Sequence, residues 1–289
     1  MKRSEDNGTT WSDIQVVYSN STGDEVNVIG NAAPVQDVST GRIWVPFCKN
    51  NEIVYITYSD DDGLTFSDPV YMPDLVHSDW KWVGLGPPAG IQLSSGRLLI
   101  PSYHTVKYKG DGCASRGHTL YSDDHGATWA IGSAEFGAPY LSNECQAVEL
   151  QDGSVMINAR TVTNRRIQVL STDGGITFGA PTVVDTLYQP LEGCEGSMVR
   201  DPVSNTLYFS DPFTRTLTRV NMTILQSTDD GATWSVHKTV DVGSVSYSAL
   251  SIVPAEKGAS HSGLELLYER SDNITIVFDP DQIVYWRVF

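Results

Sequence analysis

One eight-residue phrase, Ser-x-Asp-x-Gly-x-Thr-Trp/Phe, is written five times along this chain, at residues 4–11, 59–66, 122–129, 171–178 and 227–234. Its Ser and Asp side chains can hydrogen-bond the local backbone in place of a regular turn, its Gly accepts positive φ, and the closing aromatic can anchor a hairpin in a core. The copies start about 55, 63, 49 and 56 residues apart. That spacing is close to the roughly 40–50 residues of one four-stranded propeller blade plus a loop. A repeat that runs from end to end predicts one all-β domain over residues 1–289, although the length alone would allow two.

Between the phrases the chain reads as short strands rich in Val, Ile, Tyr and Thr, bounded by Gly, Asp, Ser or Pro. They are expected at 14–18, 42–47, 53–58, 97–101, 154–158, 167–170, 206–209, 223–226, 264–268, 274–278 and 283–289. No segment carries a convincing helical period. A second turn signal, at 39–42, 94–97 and 151–154, introduces an apolar run each time. Two hairpin signals per repeat are what a four-stranded blade requires. Within a blade the eight-residue phrase follows strands already laid down, yet its first copy begins at Ser4, so most of the first blade is expected to be missing.

The charge narrows the partners. With 19 basic and 35 acidic residues, the net charge of −16 argues against nucleic acid or an anionic membrane surface, whose affinity comes from clustered Lys and Arg. No apolar run approaches the roughly 18 residues of a membrane span. Met1-Lys2-Arg3-Ser4 opens without an apolar run, so the chain as written carries no signal peptide. Four sequons, at Asn7, Asn20, Asn221 and Asn273, would accept glycans in a secretory route but leave the compartment open. The four cysteines, Cys48, Cys113, Cys145 and Cys194, lack metal-site spacing and read as buried free thiols. No cofactor or catalytic metal is implied.

A set of single-copy phrases then appears in a fixed order. They are residues 82–93 (Trp-Val-Gly-Leu-Gly-Pro-Pro-Ala-Gly-Ile-Gln-Leu), Asn143-Glu144-Cys145-Gln146, Ile157-Asn158-Ala159-Arg160, Gly193-Cys194-Glu195-Gly196, Arg219-Val220-Asn221-Met222-Thr223, Ser246-Tyr247-Ser248-Ala249-Leu250 and Leu267-Tyr268-Glu269-Arg270. Together with the repeats, which also occur in receptor ectodomains and other glycosidases, the chain resembles exo-α-sialidases of the six-bladed, Asp-box type over essentially its whole length.

The resemblance implies a retaining hydrolase that removes terminal sialic acid from glycoconjugates, with a sialylated glycan as its partner. Sialic acid carries a carboxylate at the reacting carbon, which would repel a carboxylate nucleophile, so sialidases use a neutral tyrosine. Tyr247 matches that nucleophile. A phenol with a pKa near 10 attacks poorly at neutral pH without a base, and Glu144 matches the base. Arg160 and Arg219 match two of three arginines that grip the sugar carboxylate by planar, permanently charged guanidinium forks; Arg215 is the rival to Arg219. Glu269 matches the acid that steadies the first arginine, and Asp79 aligns with an acid near the amido side of the sugar, with Trp80 and Trp82 as an apolar wall.

Three departures stand out. No Arg-Ile-Pro phrase supplies the first arginine, no match exists for the aspartate acid/base, and Ala249 stands where the family has Asp. The alternative reading is therefore a catalytically impaired, sialic-acid-binding propeller or an inactive fragment.

Overall fold

A computed structural model describes residues 1–20, 27–107, 113–133, 135–254, 261–273 and 280–289. Its strands are antiparallel throughout and fall into four sheets that succeed one another in chain order. The first joins β1 (Ile29–Gly30), β2 (Val35–Gln36), β3 (Ile43–Lys49), β4 (Ile53–Ser59) and β5 (Val70–Tyr71). The second joins β6 (Trp80–Leu85), β7 (Ile91–Gln92), β8 (Leu98–Lys107), β9 (Cys113–Ser122) and β10 (Ala130–Ile131). The third runs β11 (Cys145–Glu149), β12 (Val155–Ala159), β13 (Arg165–Ser171) and β14 (Thr182–Tyr188). The fourth runs β15 (Ser197–Arg200), β16 (Leu207–Pro212), β17 (Val220–Ser227), β18 (Ser235–Val253), β19 (Gly263–Ser271) and β20 (Gln282–Arg287). Among the described residues the only helix is a single 3₁₀ turn at Pro73–Leu75.

The core lies between successive sheets, as a propeller requires. Trp44 and Ile56 of the first sheet pack with Leu85 and Ile100 of the second. Leu99 of the second packs with Ile157 and Val169 of the third, and Met156 of the third with Phe209 and Leu225 of the fourth. β12 is buried along its whole length, four apolar residues and the hydrogen-bonded Asn158.

Four sheets are fewer than the six blades expected, and β18 supplies one physical reason. Its first half pairs with β17 and its second half, from Ser244 to Val253, pairs with β19. The sheet folds back on itself there, so that Tyr208 and Ile224 pack against Leu250 and Leu266. One long strand thus serves two hairpin units. The second reason is that residues 14–18 are not a strand. Ile14 and Val16 stand 74% and 70% exposed, and Gln15 exchanges backbone bonds only with Met1. The expected strand at 274–278 and the side chain of Cys113 lie outside the described residues. Cys48, Cys145 and Cys194 are buried free thiols, and burial pushes Cys48 up to about 12.

All five eight-residue phrases close by one bonding scheme. In the copy between β4 and β5, Ser59 Oγ accepts from Gly63 N at 2.8 Å and donates to Asp61 at 2.8 Å, while Asp61 accepts from Thr65 N at 2.8 Å and Thr65 Oγ1 at 2.6 Å. Each glycine also takes a close neighbour: a Cβ on Gly126 would sit 2.2 Å from the Trp44 indole of the preceding sheet. The first phrase docks on the last strand, where the Tyr285 hydroxyl donates to Asn7 O at 3.0 Å and its ring meets Trp11 edge-on. Trp11 stays 41% exposed, unlike Trp234 at 5%.

These turns make stability acid-sensitive. The hydroxyl and amide of Thr65 hold the Asp61 carboxyl down to about 2, and Asp6, Asp124 and Asp229 are lowered in the same way by Thr10, Thr128 and Thr233. A folded pKa below the unfolded value of about 3.9 contributes stability above that pH and loses it as pH falls. Melting temperature is therefore expected to drop steeply between about pH 4 and pH 2, and less steeply in Asp61→Asn/Asp124→Asn. An unchanged acid slope in that double variant would remove the turns from the account.

Candidate active site

The hairpin of β11 and β12 extends one step beyond its strands, through Asn143 N to Arg160 O at 3.1 Å and Arg160 N to Glu144 O at 2.9 Å. Glu144 and Arg160 thus leave the sheet as cross-strand neighbours. Arg160 Nη1 donates to Glu144 Oε2 at 2.6 Å. The other oxygen, Oε1, accepts from the Tyr247 hydroxyl. Tyr247 stands at the bulge in β18 between Val245 and Ser248, a local break in register of the kind that re-aims a side chain. One carboxylate therefore bridges a phenol and a guanidinium.

Electrostatics keep the phenol protonated at rest. Burial first, and then the Glu144 charge, push the Tyr247 pKa well above its ordinary value. Burial works against the Arg160 charge, but Glu144 more than offsets it and holds that pKa up. The Arg219 guanidinium lies 5.6 Å from the Tyr247 ring centre. It donates to Ser246 Oγ at 2.8 Å and Gly193 O at 3.3 Å. Among the described residues no carboxylate comes within 4.0 Å of it, so its charge is free to meet an anion. Arg215, the rival, instead lies over the Tyr188 ring at 3.6 Å.

The loop ahead of β15 ties these groups together with its backbone. Glu192 O accepts from Arg160 Nε and Nη2 at 3.2 and 2.8 Å, Gly193 O accepts from Arg219, and Cys194 O accepts from buried Arg166 at 2.8 Å. Glu192 and Gly193 both sit at positive φ, 67° and 75°. A Cβ on Gly193 would come within 2.6 Å of Arg160 Cγ. Glycine is therefore needed there for both backbone shape and close approach.

Two other expected residues are placed differently. Glu269, on β19, accepts from the Tyr247 amide at 3.2 Å and so holds the tyrosine backbone; the neighbouring Arg270 pairs with Asp241 and Asp272 instead. Asp79 is exposed ahead of β6 and is not brought to the Tyr247–Glu144–Arg160 group. The cleft beside that group, about 420 Å³, is lined instead by Lys81, Trp82, Tyr103, Asn143, Glu144 and Arg160. Trp82 forms part of its wall. Trp80 does not, since it stacks on His104 at 3.9 Å.

Residues 1–261 match the family model described as a BNR repeat-like domain. The chain belongs to the BNR repeat-like domain family. Within that family it is similar to a sialidase of Micromonospora viridifaciens, 31% identical over 286 residues, covering 88% of this chain and 43% of that protein. It is also similar to Sialidase-3 of Rattus norvegicus, 33% identical over 196 residues, covering 57% of this chain and 46% of that one. The chain thus spans under half the length of these two relatives. Among solved structures, the Hadza microbial sialidase Hz136 superposes with a TM-score of 0.81 at 26% identity, over 93% of this chain and 56% of that one. The all-β propeller arrangement of this BNR repeat-like chain is accordingly that of sialidases.

Sequence reading missed Tyr103, Lys81 and the carbonyls of the loop ahead of β15. Tyr103 and Lys81 carry no motif of their own. Backbone carbonyls act through conformation, for which Gly193 is the one visible sign.

Proposed function

We propose that this chain forms the catalytic propeller of a retaining exo-α-sialidase acting on terminal sialic acids of glycoconjugates. The observation that carries the reading is the Glu144 carboxylate shared between Tyr247 and Arg160. Glu144 takes the phenol proton as the Tyr247 oxygen attacks the anomeric carbon, forming a glycosyl–tyrosine bond that water then breaks. Arg160 and Arg219, which bond adjacent carbonyls of the loop ahead of β15, hold the substrate carboxylate. Their protein bonds use three and two of the five N–H groups each guanidinium carries, leaving donors for an anion. The leaving oxygen takes its proton from an acid; the sialidase resemblance gives that role to an aspartate without a match in this sequence.

Six-bladed closure belongs to the same proposal. It is supported by the division of β18 between two hairpins and by the docking of the first turn phrase on β20.

Proton NMR of the turnover of an α-linked sialoside tests the stereochemistry. The first product is expected to be α-sialic acid, which later mutarotates. A β-anomer appearing first would mean direct attack by water and would end the role given to Tyr247.

A further inference from the structure

Glu195 is a buried carboxyl side chain close to Tyr247 that the proposed mechanism does not use. It stands in the loop that receives Arg160 and Arg219, with only 1% of its surface exposed. Its Oε2 accepts from the Ser248 amide at 2.8 Å, and its Oε1 has no protein partner. It lines, with Tyr247 and Glu269, a cavity of about 160 Å³. Ser248 directly follows the tyrosine, whose own amide is held by Glu269. Two carboxyl groups, from two different loops and strands, therefore grip consecutive amides at the bulge that aims the phenol.

We propose that Glu195 is a positioning residue that acts as a neutral carboxylic acid, fixing the Tyr247–Ser248 bulge so that the phenol meets Glu144. The inference rests on the sialidase reading for its kinetic consequence only. A buried carboxylate with one amide donor and an unpaired oxygen is costly, whereas the protonated acid is far less so. Among the described residues no Lys or Arg comes within 4.0 Å of Glu195 to compensate a charge. The charged groups acting on it are Glu144 and Asp211, which disfavour ionisation, and Arg166, which favours it. Burial dominates and pushes its pKa well above the ordinary carboxyl value. A neutral Glu195 also adds no second negative charge beside the Tyr247–Glu144 pair.

Gln is the isosteric mimic of a neutral acid, so Glu195→Gln should keep what Glu195→Ala loses. Two measurements are made on both variants and the unsubstituted chain. The first is hydrogen exchange of a peptide spanning residues 244–250, which reads the Ser248 amide whether or not the chain turns over. Glu195→Ala is expected to exchange at least tenfold faster there, and Glu195→Gln as slowly as the original. The second is kcat and KM for sialoside cleavage. A displacement of about 1 Å at a reacting group costs on the order of 10²-fold. Glu195→Ala should lose about that factor in kcat with KM little changed, and Glu195→Gln should stay within about threefold of the original.

Slow exchange in Glu195→Ala would overturn the anchoring role. A Glu195→Gln as inactive as Glu195→Ala would also overturn the proposal, since the carboxyl proton itself would then be needed. If the unsubstituted chain proves inactive, the sialidase reading fails alone, and the exchange comparison still decides the role of Glu195.

Discussion

Tyr247→Phe is expected to abolish sialic acid release while leaving the fold and substrate binding in place. The ring remains to fill its site on β18, and Arg160 and Arg219 keep their own partners. What is lost is the oxygen that attacks and the proton Glu144 would take. A fall in kcat on the order of 10³-fold or more is expected, with KM changed by only a few-fold. Glu144→Gln should behave differently. It removes the base and, in the same step, the anionic partner of Arg160, so kcat and KM should both change. Groups that act as a unit are strongly non-additive, so the double variant should be scarcely worse than Tyr247→Phe. Release at near-original rates by Tyr247→Phe, measured with a fluorogenic α-sialoside, would remove the tyrosine from the chemistry.

What could be read from the sequence was what is local. The eight-residue phrase closes by bonds spanning at most four residues, such as Asp173 to Thr177 and Ser171 to Gly175, so its geometry travels with its letters. Most of the expected strands followed from local patterning, but 14–18 did not form one, 274–278 lies outside the described residues, and β6, β9, β11, β14 and β15 were not among those expected. The meeting of Tyr247 with Glu144 spans 103 residues, and no spacing rule brings them together; the ordered phrases of a known family did. Asp79 is exposed and does not line the cleft, whereas Lys81 and Trp82, at a register shift in β6, do. Glu195 lay within a quoted phrase, yet nothing in its neighbours announces that it would be buried under a bulge 53 residues away.

Arg166 illustrates the same limit and yields the largest expected loss of stability. In the sequence it lies just ahead of the strand expected at 167–170. In the fold it is fully buried, bonded to Asn158 Oδ1, Gln189 Oε1 at 3.2 Å, Cys194 O at 2.8 Å and Asp211 Oδ2 at 3.1 Å. It thereby joins β12, β16 and the loop whose carbonyls accept from Arg160 and Arg219. Removing one member of a buried pair while leaving the rest costs about 3–5 kcal/mol. Arg166→Met should therefore lower the melting temperature on the order of 10 °C, and it should depress kcat as well, because Cys194 O would lose its donor. Arg166→Met/Asp211→Leu should recover part of the stability, since apolar replacement of both partners is far less costly. Asp211 adds a pH signature. Burial pushes its carboxyl up to about 8, against the pull of Arg166, Arg160 and Arg219. A folded pKa above the unfolded value means that the folded state binds the extra proton, so this contribution is complete below about pH 4 and is lost as pH rises through 8. Asp211→Asn should flatten the decline in melting temperature between about pH 5 and pH 9. If Arg166→Met melts within about 2 °C of the original, the buried cluster is not what fixes the loop.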